Sequence, residues 1–565
     1  MVIQLSSRDD LLTRIEEMLA AQAKLAAALA AAQAERAAAI EEKTEQAASI
    51  KYLQSQVECL REALRLAQQK RFGASSERTV PLQDGLFDEA EAVQQAAEAA
   101  ASTEGQAGAT PAEPTIDAIM PKVVKGKDKR VLNMADLPVE TVDHKLEPEK
   151  CFCPQCSGPL HEIGADVREE LKRVPAQYKV VQHRQVKYAC RHCAQHGTGV
   201  SVVNASMPVP AFPGSPASPS VVAHSMSQKY ELSVPLYRQE QYLAVRGLMI
   251  SRQNLSNWIL HGGDLMEPLY EALRLWMREQ TILHADETVV QVLREEKRKA
   301  TAQSRMWAYC SGRMGPPLVL FDYQTTRGAE HPINFLRGFE GFLHVDGYGA
   351  YEQLSGVTLV GCWAHVRRKF DEAIKALPPE AQHKMSPAHQ GLKFCNRLFE
   401  IERQLRDVTP ENRKAGREQD SQPVLDAFRS WLQGQGSTIA PQSKLGTAVG
   451  YCLGQWPKLN GFMNDGLLEI DNNRCERAIR LFAVGRKNWL FCNTPRGART
   501  SAIIYSMVES AKANDLVPEA YLAYLMEQLP NLNKDDPAVL TRLYPWAQTV
   551  QDVCSKANAK RNGYV

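Results

Sequence analysis

The stretch 471–480, Asp-Asn-Asn-Arg-Cys-Glu-Arg-Ala-Ile-Arg, combines acids, amides and arginines at helical spacing. Read as a helix, it sets Cys475, Ala478, Ile479 and Phe482 at i, i+3, i+4 and i+7, an apolar stripe for a core. Asn472, Asn473, Glu476 and Arg480 share the adjoining face. Glu476 is thereby held at a fixed height beside a core, flanked by amides and cations. Residues 471–500 carry seven Arg or Lys against two acids, in a chain whose net charge is only +2. A carboxylate kept among cations next to a basic surface suits metal-assisted chemistry on a phosphate backbone. A surface helix whose charges only pair with one another would read the same way, so other segments must decide.

Two more acids stand on predicted strands. Residues 282–290, 306–310 and 318–323 are apolar runs of strand type, the last two separated by a Gly- and Pro-rich turn. A helix at 332–338 precedes a strand at 341–346, and another helix leads to a strand at 357–362. A three-strand meander followed by strands alternating with helices is the order of a ribonuclease-H-like α/β sheet. Asp286 lies on the first strand and Asp346 ends the fourth, and in that topology these strands are neighbours. His284 and His344 each precede their aspartate by two residues, hence lie on its side of the strand. The plain alternative for either aspartate is a carboxylate in a strand-end turn. Two acids from strands and one from a helix are what a two-metal phosphoryl-transfer site requires. Its ions sit about 3.5–4 Å apart and clamp the attacking and leaving oxygens. Carboxylates are hard ligands suited to Mg²⁺, with Mn²⁺ as the substitute.

A second metal is expected upstream. Cys153 and Cys156 form one C-x2-C knuckle, and Cys190 and Cys193 form another after 33 intervening residues. Two such knuckles are the ligand set of a tetrahedral zinc site. The gap exceeds the usual span of about 15–20 residues. A strand pair over 169–188, turning at Pro175, explains the excess. Four thiolates close the site, which makes it structural. Four reduced surface thiols are the alternative, and Cys151, His161, His192 and His196 remain substitute ligands.

The remaining sequence must position these groups. With 565 residues, 44% hydrophobic and 23% charged, the chain has the composition of a multidomain globular protein. No run of eighteen apolar residues predicts a membrane span, and the N-terminus lacks a signal-peptide pattern. A cytoplasmic location is expected, at the nucleoid when bound to DNA, and thirteen cysteines then argue for thiols and metal ligation. Residues 8–73 carry a heptad seam in which twelve of sixteen a/d positions are apolar. The seam needs a partner, either a second copy, giving a homodimer or larger oligomer, or a neighbouring helix. Residues 79–120 hold eight acids and no Lys or Arg and read as a flexible acidic linker. A basic segment opens the zinc ribbon at 121–205. A helical region at 217–275 contains a helix-turn-helix-like pair, with Ser251 as N-cap and Arg252, Gln253 and Asn254 placed to touch DNA. The α/β domain spans 280–510, with a helical insertion over about 366–465, and a helical tail covers 511–565.

The motifs together resemble the transposases of the insertion-sequence-sixty-six family over nearly the whole chain. They are Lys70-Arg-Phe-Gly73 with Ser75-Ser-Glu77, the two cysteine knuckles, Pro235-Leu-Tyr-Arg238, His284-Ala-Asp-Glu-Thr288, and Asp346-Gly-Tyr348 with Tyr351. They continue with Cys362-Trp-Ala-His-Val-Arg-Arg-Lys-Phe370, Asp471-Asn-Asn-x-x-Glu-Arg477 and Arg486-Lys-Asn488. The resemblance implies an Asp-Asp-Glu site of Asp286, Asp346 and Glu476, with a helical insertion before the glutamate. It implies cutting at the ends of a mobile element and joining to target DNA, with accessory proteins of the same element as further partners. Cys362, Trp363, His365, Asn472 and Asn473 would line or brace the site. Arg474, Arg477, Arg480, Arg486 and Lys487 would hold DNA, one or two of them only neutralising Glu476 and Asp471. Asp322, Asp371, Glu287 and Glu469 are rival acids away from the motif positions. The basic segment before the zinc ribbon lacks the Gly-Arg-rich run of many relatives. A nuclease without joining activity and a catalytically dead DNA-binding protein are the alternative functions.

Overall fold

The computed structural model describes residues 8–72, 178–189, 202–435, 439–534 and 536–559. The acidic linker, the basic segment and Cys153, Cys156, Cys190 and Cys193 lie outside the described residues. The chain divides into two compact units, one of residues 80–207 and one of residues 1–79 with 208–565. In the first, β1 (Lys187–Ala189) pairs antiparallel with β2 (Val202–Asn204).

The second unit is a mixed α/β structure, mostly helical, around one five-stranded sheet. The strands are β3 (Ile282–Gln291), β4 (Gln303–Ser311), β5 (Val319–Gln324), β6 (Gly341–Val345) and β7 (Val357–Gly361), in the order β5-β4-β3-β6-β7. The meander β3-β4-β5 is antiparallel, whereas β6 and β7 run parallel to β3. β4 is buried from Met306 to Ser311, and β3 is buried at Ile282–Ala285 and Val290 and half-buried at Asp286–Val289.

Helices α2 (Pro219–Tyr230), α3 (Leu236–Ala244) and α4 (Arg252–Arg278) precede the sheet. Ser251 caps α4 by accepting the Asn254 N–H at 3.2 Å. The first turn of α4 is exposed, Leu255 is buried, and the helix then enters the main core through Ile259, Met266, Leu269, Leu273 and Met277.

Helices α5 (Trp363–Ala376), α6 (Pro387–Gln404), α7 (Gln422–Gln435) and α8 (Lys444–Leu459) build a second core around Trp363, Phe370, Phe428 and Phe462. The chain returns to the sheet through α9 (Asn473–Trp489), followed by α10 (Pro495–Ala513) and α11 (Pro518–Gln528). Helix α10 also covers the open edge at β5. Ser506 Oγ accepts the Phe321 N–H at 2.8 Å, while Ser510 Oγ accepts from Val319 N–H and donates to Val319 O. The unpaired backbone of an edge strand is thus satisfied by side chains.

The heptad segment is one continuous helix, α1 (Arg8–Phe72). Its seam residues Leu25, Leu29, Leu53, Leu60 and Leu64 are exposed. A different flank docks on the second core. Leu66 is buried, Glu62 accepts the Lys444 N–H at 2.8 Å, and Gln56 donates to Gln442 at 2.8 Å. Among the described residues, no helix is long and apolar enough to cross a membrane.

Candidate active site

The parallel register of β3 and β6 sets His284 level with His344. Two residues on from each histidine, Asp286 continues β3 and Asp346 directly follows the end of β6, each on its histidine's side of the chain by period two. The rings of His284 and His344 stack at 4.2 Å with 9° between their planes, and both are fully buried. Burial drives His284 down to about 4 and His344 well below the usual imidazole value, so both rings are neutral.

This pair is the floor on which the helix with Glu476 is seated. Asn472, buried at the start of α9, accepts from His284 Nδ1 at 3.0 Å and donates to Ala285 O at 2.9 Å. Its own N–H is accepted by Cys362 Sγ at 3.2 Å, and Ile470 O accepts the Trp363 N–H at 3.1 Å. Trp363, also buried, donates its indole N–H to Leu459 O at 2.8 Å. One turn into α9, Cys475 packs its thiol on Ala308 O, and Ala308 pairs with Asp286 across the sheet. Cys362, Trp363 and Asn472 therefore hold β7, α5 and α9 together around one point. Asn473 instead closes a local turn on Asp471, with bonds of 3.0 and 2.8 Å. We expect Asn472→Leu to strand the Ala285 carbonyl and the His284 ring together, lowering unfolding stability by about 2 kcal/mol. An unchanged urea midpoint would show that α9 is seated by something else.

The acids converge. Burial raises Asp286 well above the carboxylate range, and the charges of Glu287, Asp346 and Glu476 raise it further. Asp286 thus senses both other members of the predicted trio. Asp346 accepts the Tyr348 N–H at 2.8 Å, and Glu476 Oε2 accepts from Arg368 at 3.2 Å. His365 Nδ1 lies 3.5 Å and Cys362 Sγ 3.9 Å from Glu476 Oε1. Arg368 was not singled out from sequence, although it follows His365 by three residues and shares its helix face.

The rival acids are committed elsewhere. Glu287 pairs with Arg327, which stacks on the Tyr348 ring at 3.7 Å. Glu469 binds Arg474 at 3.1 Å and approaches His284 Nε2 at 3.4 Å. Asp371 pairs with Lys375 at 2.7 Å. Asp322 accepts from Gln324 at 2.8 Å, and burial pushes it up to about 6.

The basic candidates separate into two kinds. Arg477, Arg480 and Lys487 are exposed on α9, and Arg252, Gln253 and Asn254 are exposed at the start of α4. Arg474 is engaged with Glu469, and Arg486 is half-buried and bonded to Thr288 at 3.2 Å.

A family model described as "Transposase IS66 family" matches residues 214–500, slightly more than half of the chain and the whole of this constellation. The chain belongs to the IS66 transposase family. Three further family matches agree. Residues 150–194 match the "zinc-finger binding domain of transposase IS66", a stretch that contains all four knuckle cysteines. Residues 506–546 match the "IS66 C-terminal element", and 59–142 match "Transposase C of IS166 homeodomain". Relatives that match most of the chain occur in Sinorhizobium fredii. The uncharacterized protein y4jD is 32% identical over 440 residues, covering 75% of this chain and 83% of the relative. The uncharacterized protein y4hP is 29% identical over 516 residues, covering 87% and 88%. This IS66-family chain thus carries the family's zinc-finger domain, an α/β domain and the C-terminal element.

Proposed function

We propose that this IS66-family protein cleaves DNA at the ends of an insertion sequence and transfers the strands to target DNA. The observation that supports the reading is that Asp286 is buried within electrostatic reach of Asp346 and Glu476, while Glu287, also within reach, is paired with Arg327. The strand order and directions of the sheet support a ribonuclease-H-like core, with Asp286 on β3 and Asp346 directly after the neighbouring β6.

Carboxylates within electrostatic reach of one another, as Asp286, Asp346 and Glu476 are, repel one another unless cations join them. The donor set fits Mg²⁺ or Mn²⁺, and Asp286, Asp346 and Glu476 would hold it. A pair of such ions supplies Lewis-acid stabilisation of the attacking and leaving oxygens in an in-line displacement. The protein contributes fixed placement. Asp286 and Asp346 come from strands in register, and Glu476 comes from a helix seated by Asn472. Arg477, Arg480 and Lys487 form the exposed basic rim of α9 that would lie along phosphates. Arg252, Gln253 and Asn254 would make separate contacts at the start of α4.

Cys153, Cys156, Cys190 and Cys193 are proposed as the ligands of one structural zinc, so zinc content should fall to zero in Cys153→Ser. The exposed seam of α1 is proposed to join two copies of the chain, and a monomer in sedimentation of the full-length protein would exclude this. Accessory proteins of the same element are further candidate partners.

The test uses a labelled duplex carrying the DNA that flanks the gene, cut beforehand to leave a 3′-hydroxyl. Wild type with Mg²⁺ should yield strand-transfer products, and Asp286→Asn should yield none. Cutting of the intact duplex without any joining would favour a nuclease. Binding with neither reaction would favour a DNA-binding protein.

A further inference from the structure

Cys362, His365 and Glu476 bring one sulfur, one nitrogen and one oxygen within 4.8 Å of one another. His365 opens α5 and Glu476 opens α9, so the two groups come from different helices that meet over β3 and β7. The two oxygens of Glu476 are used differently. Oε2 accepts from Arg368 at 3.2 Å, whereas Oε1 faces His365 Nδ1 at 3.5 Å. That nitrogen is shut off from water and has no hydrogen-bond partner among the described residues. A buried ring nitrogen left unbonded beside a carboxylate oxygen is costly unless something occupies the gap. His365 also lies within electrostatic reach of Asp346. Cys362 Sγ is already used as the acceptor of the Asn472 N–H.

We propose that His365 Nδ1 is a further protein ligand of the divalent ion held at Glu476, making this a mixed nitrogen–oxygen site that prefers Mn²⁺ over Mg²⁺. The proposal rests on the reading of Asp286, Asp346 and Glu476 as the metal-holding trio. Imidazole is a good ligand for first-row transition ions, whereas Mg²⁺ selects oxygen and keeps its waters. With Arg368 holding one oxygen of Glu476, the other is directed to the ion together with the ring nitrogen. Cys362 then serves as packing and as an anchor for Asn472, without contributing a bond to the metal.

The experiment is pulsed electron paramagnetic resonance of Mn²⁺ bound to the full-length, zinc-loaded protein. Wild type should show ¹⁴N modulation from a directly bound imidazole. His365→Ala should lose it and bind Mn²⁺ about tenfold or more weakly, with a smaller change for Mg²⁺. His365→Asp replaces nitrogen by oxygen, so it should keep Mn²⁺ while the ¹⁴N signal disappears, which separates ligand loss from misfolding. A signal absent from fully loaded wild type, or persisting in His365→Asp, overturns the proposal. Asp286→Asn and Glu476→Gln distinguish the two levels. Unchanged Mn²⁺ binding in both removes the trio itself. Binding lost in both, with no nitrogen coupling in wild type, removes only the role of His365.

Discussion

Glu476→Gln is expected to lower DNA cleavage by about a thousandfold while leaving binding to the element ends intact. The amide keeps the size of the side chain and an oxygen for Arg368, which reaches Glu476 Oε2 at 3.2 Å. It loses the negative charge that would hold a divalent ion. Losing that ion's stabilisation of the transition state is worth several kcal/mol, and about 4 kcal/mol corresponds to about three orders of magnitude in rate. Folding should not suffer. Glu476 is one of three acids whose charges, after burial, push Asp286 upward, so removing it relieves repulsion. The thermal midpoint should be unchanged or raised, and the affinity for the end duplex in a gel-shift titration should not weaken. Cutting at the wild-type rate would show that Glu476 is not part of the site.

Arg417→Met is expected to cost about 3–5 kcal/mol of stability, the range for breaking a buried ion pair from one side. Arg417 is completely buried and lies where the helix Pro410–Gly416 passes into the π-helical turn Arg417–Ser421. It donates to both oxygens of Glu402, at 2.6 and 2.8 Å. It also donates to the carbonyls of Phe462, Asp465 and Leu468, at 2.6, 2.9 and 2.8 Å. Arg413 adds a 2.5 Å bond to Glu402. Those carbonyls belong to the segment leading into Asn472 and Glu476, so the substitution leaves a buried carboxylate half paired and three acceptors bare. Urea unfolding measures the loss, and a change below about 1 kcal/mol would mean that solvent reaches this cluster.

The same cluster sets an acid limit on stability. Burial alone would raise Glu402, but Arg417 and Arg413 overcome it and hold the group below the usual glutamate value. A depressed folded pKa contributes stability that is complete above the unfolded pKa and is lost as pH falls through the folded one. Wild type should therefore lose stability on acidification in that window, and Arg417→Met should show a weaker dependence there.

The elements that carry the candidate site were legible in the chain because their signals are local. The apolar stripe of 475–482 required a helix with Glu476 on an adjoining face, and α9 begins at Asn473. The apolar runs around Asp286 and Asp346 required strands, and period two put each histidine under its aspartate. The order of strands and helices also suggested which strands are neighbours, since connections of that type leave few arrangements. The heptad spacing required a long helix, and α1 is continuous from Arg8 to Phe72.

What the chain by itself determined was therefore the type of each element and the residues on each of its faces. Tertiary packing decided which charges are free. Arg474 and Arg477 look alike in sequence, yet the first is spent on Glu469 and the second is exposed. Glu287 and Asp286 are adjacent, yet only the first is taken up by Arg327. The histidine stack, the seating of Asn472 on His284 and Ala285, and the meeting of His365 with Glu476 join residues about 60 to 190 positions apart. Helical and strand periods depend on backbone geometry that repeats over a few residues, so sequence spacing reports them. A contact between distant segments depends on how whole elements pack, and no spacing in the chain encodes which partner a buried charge will meet.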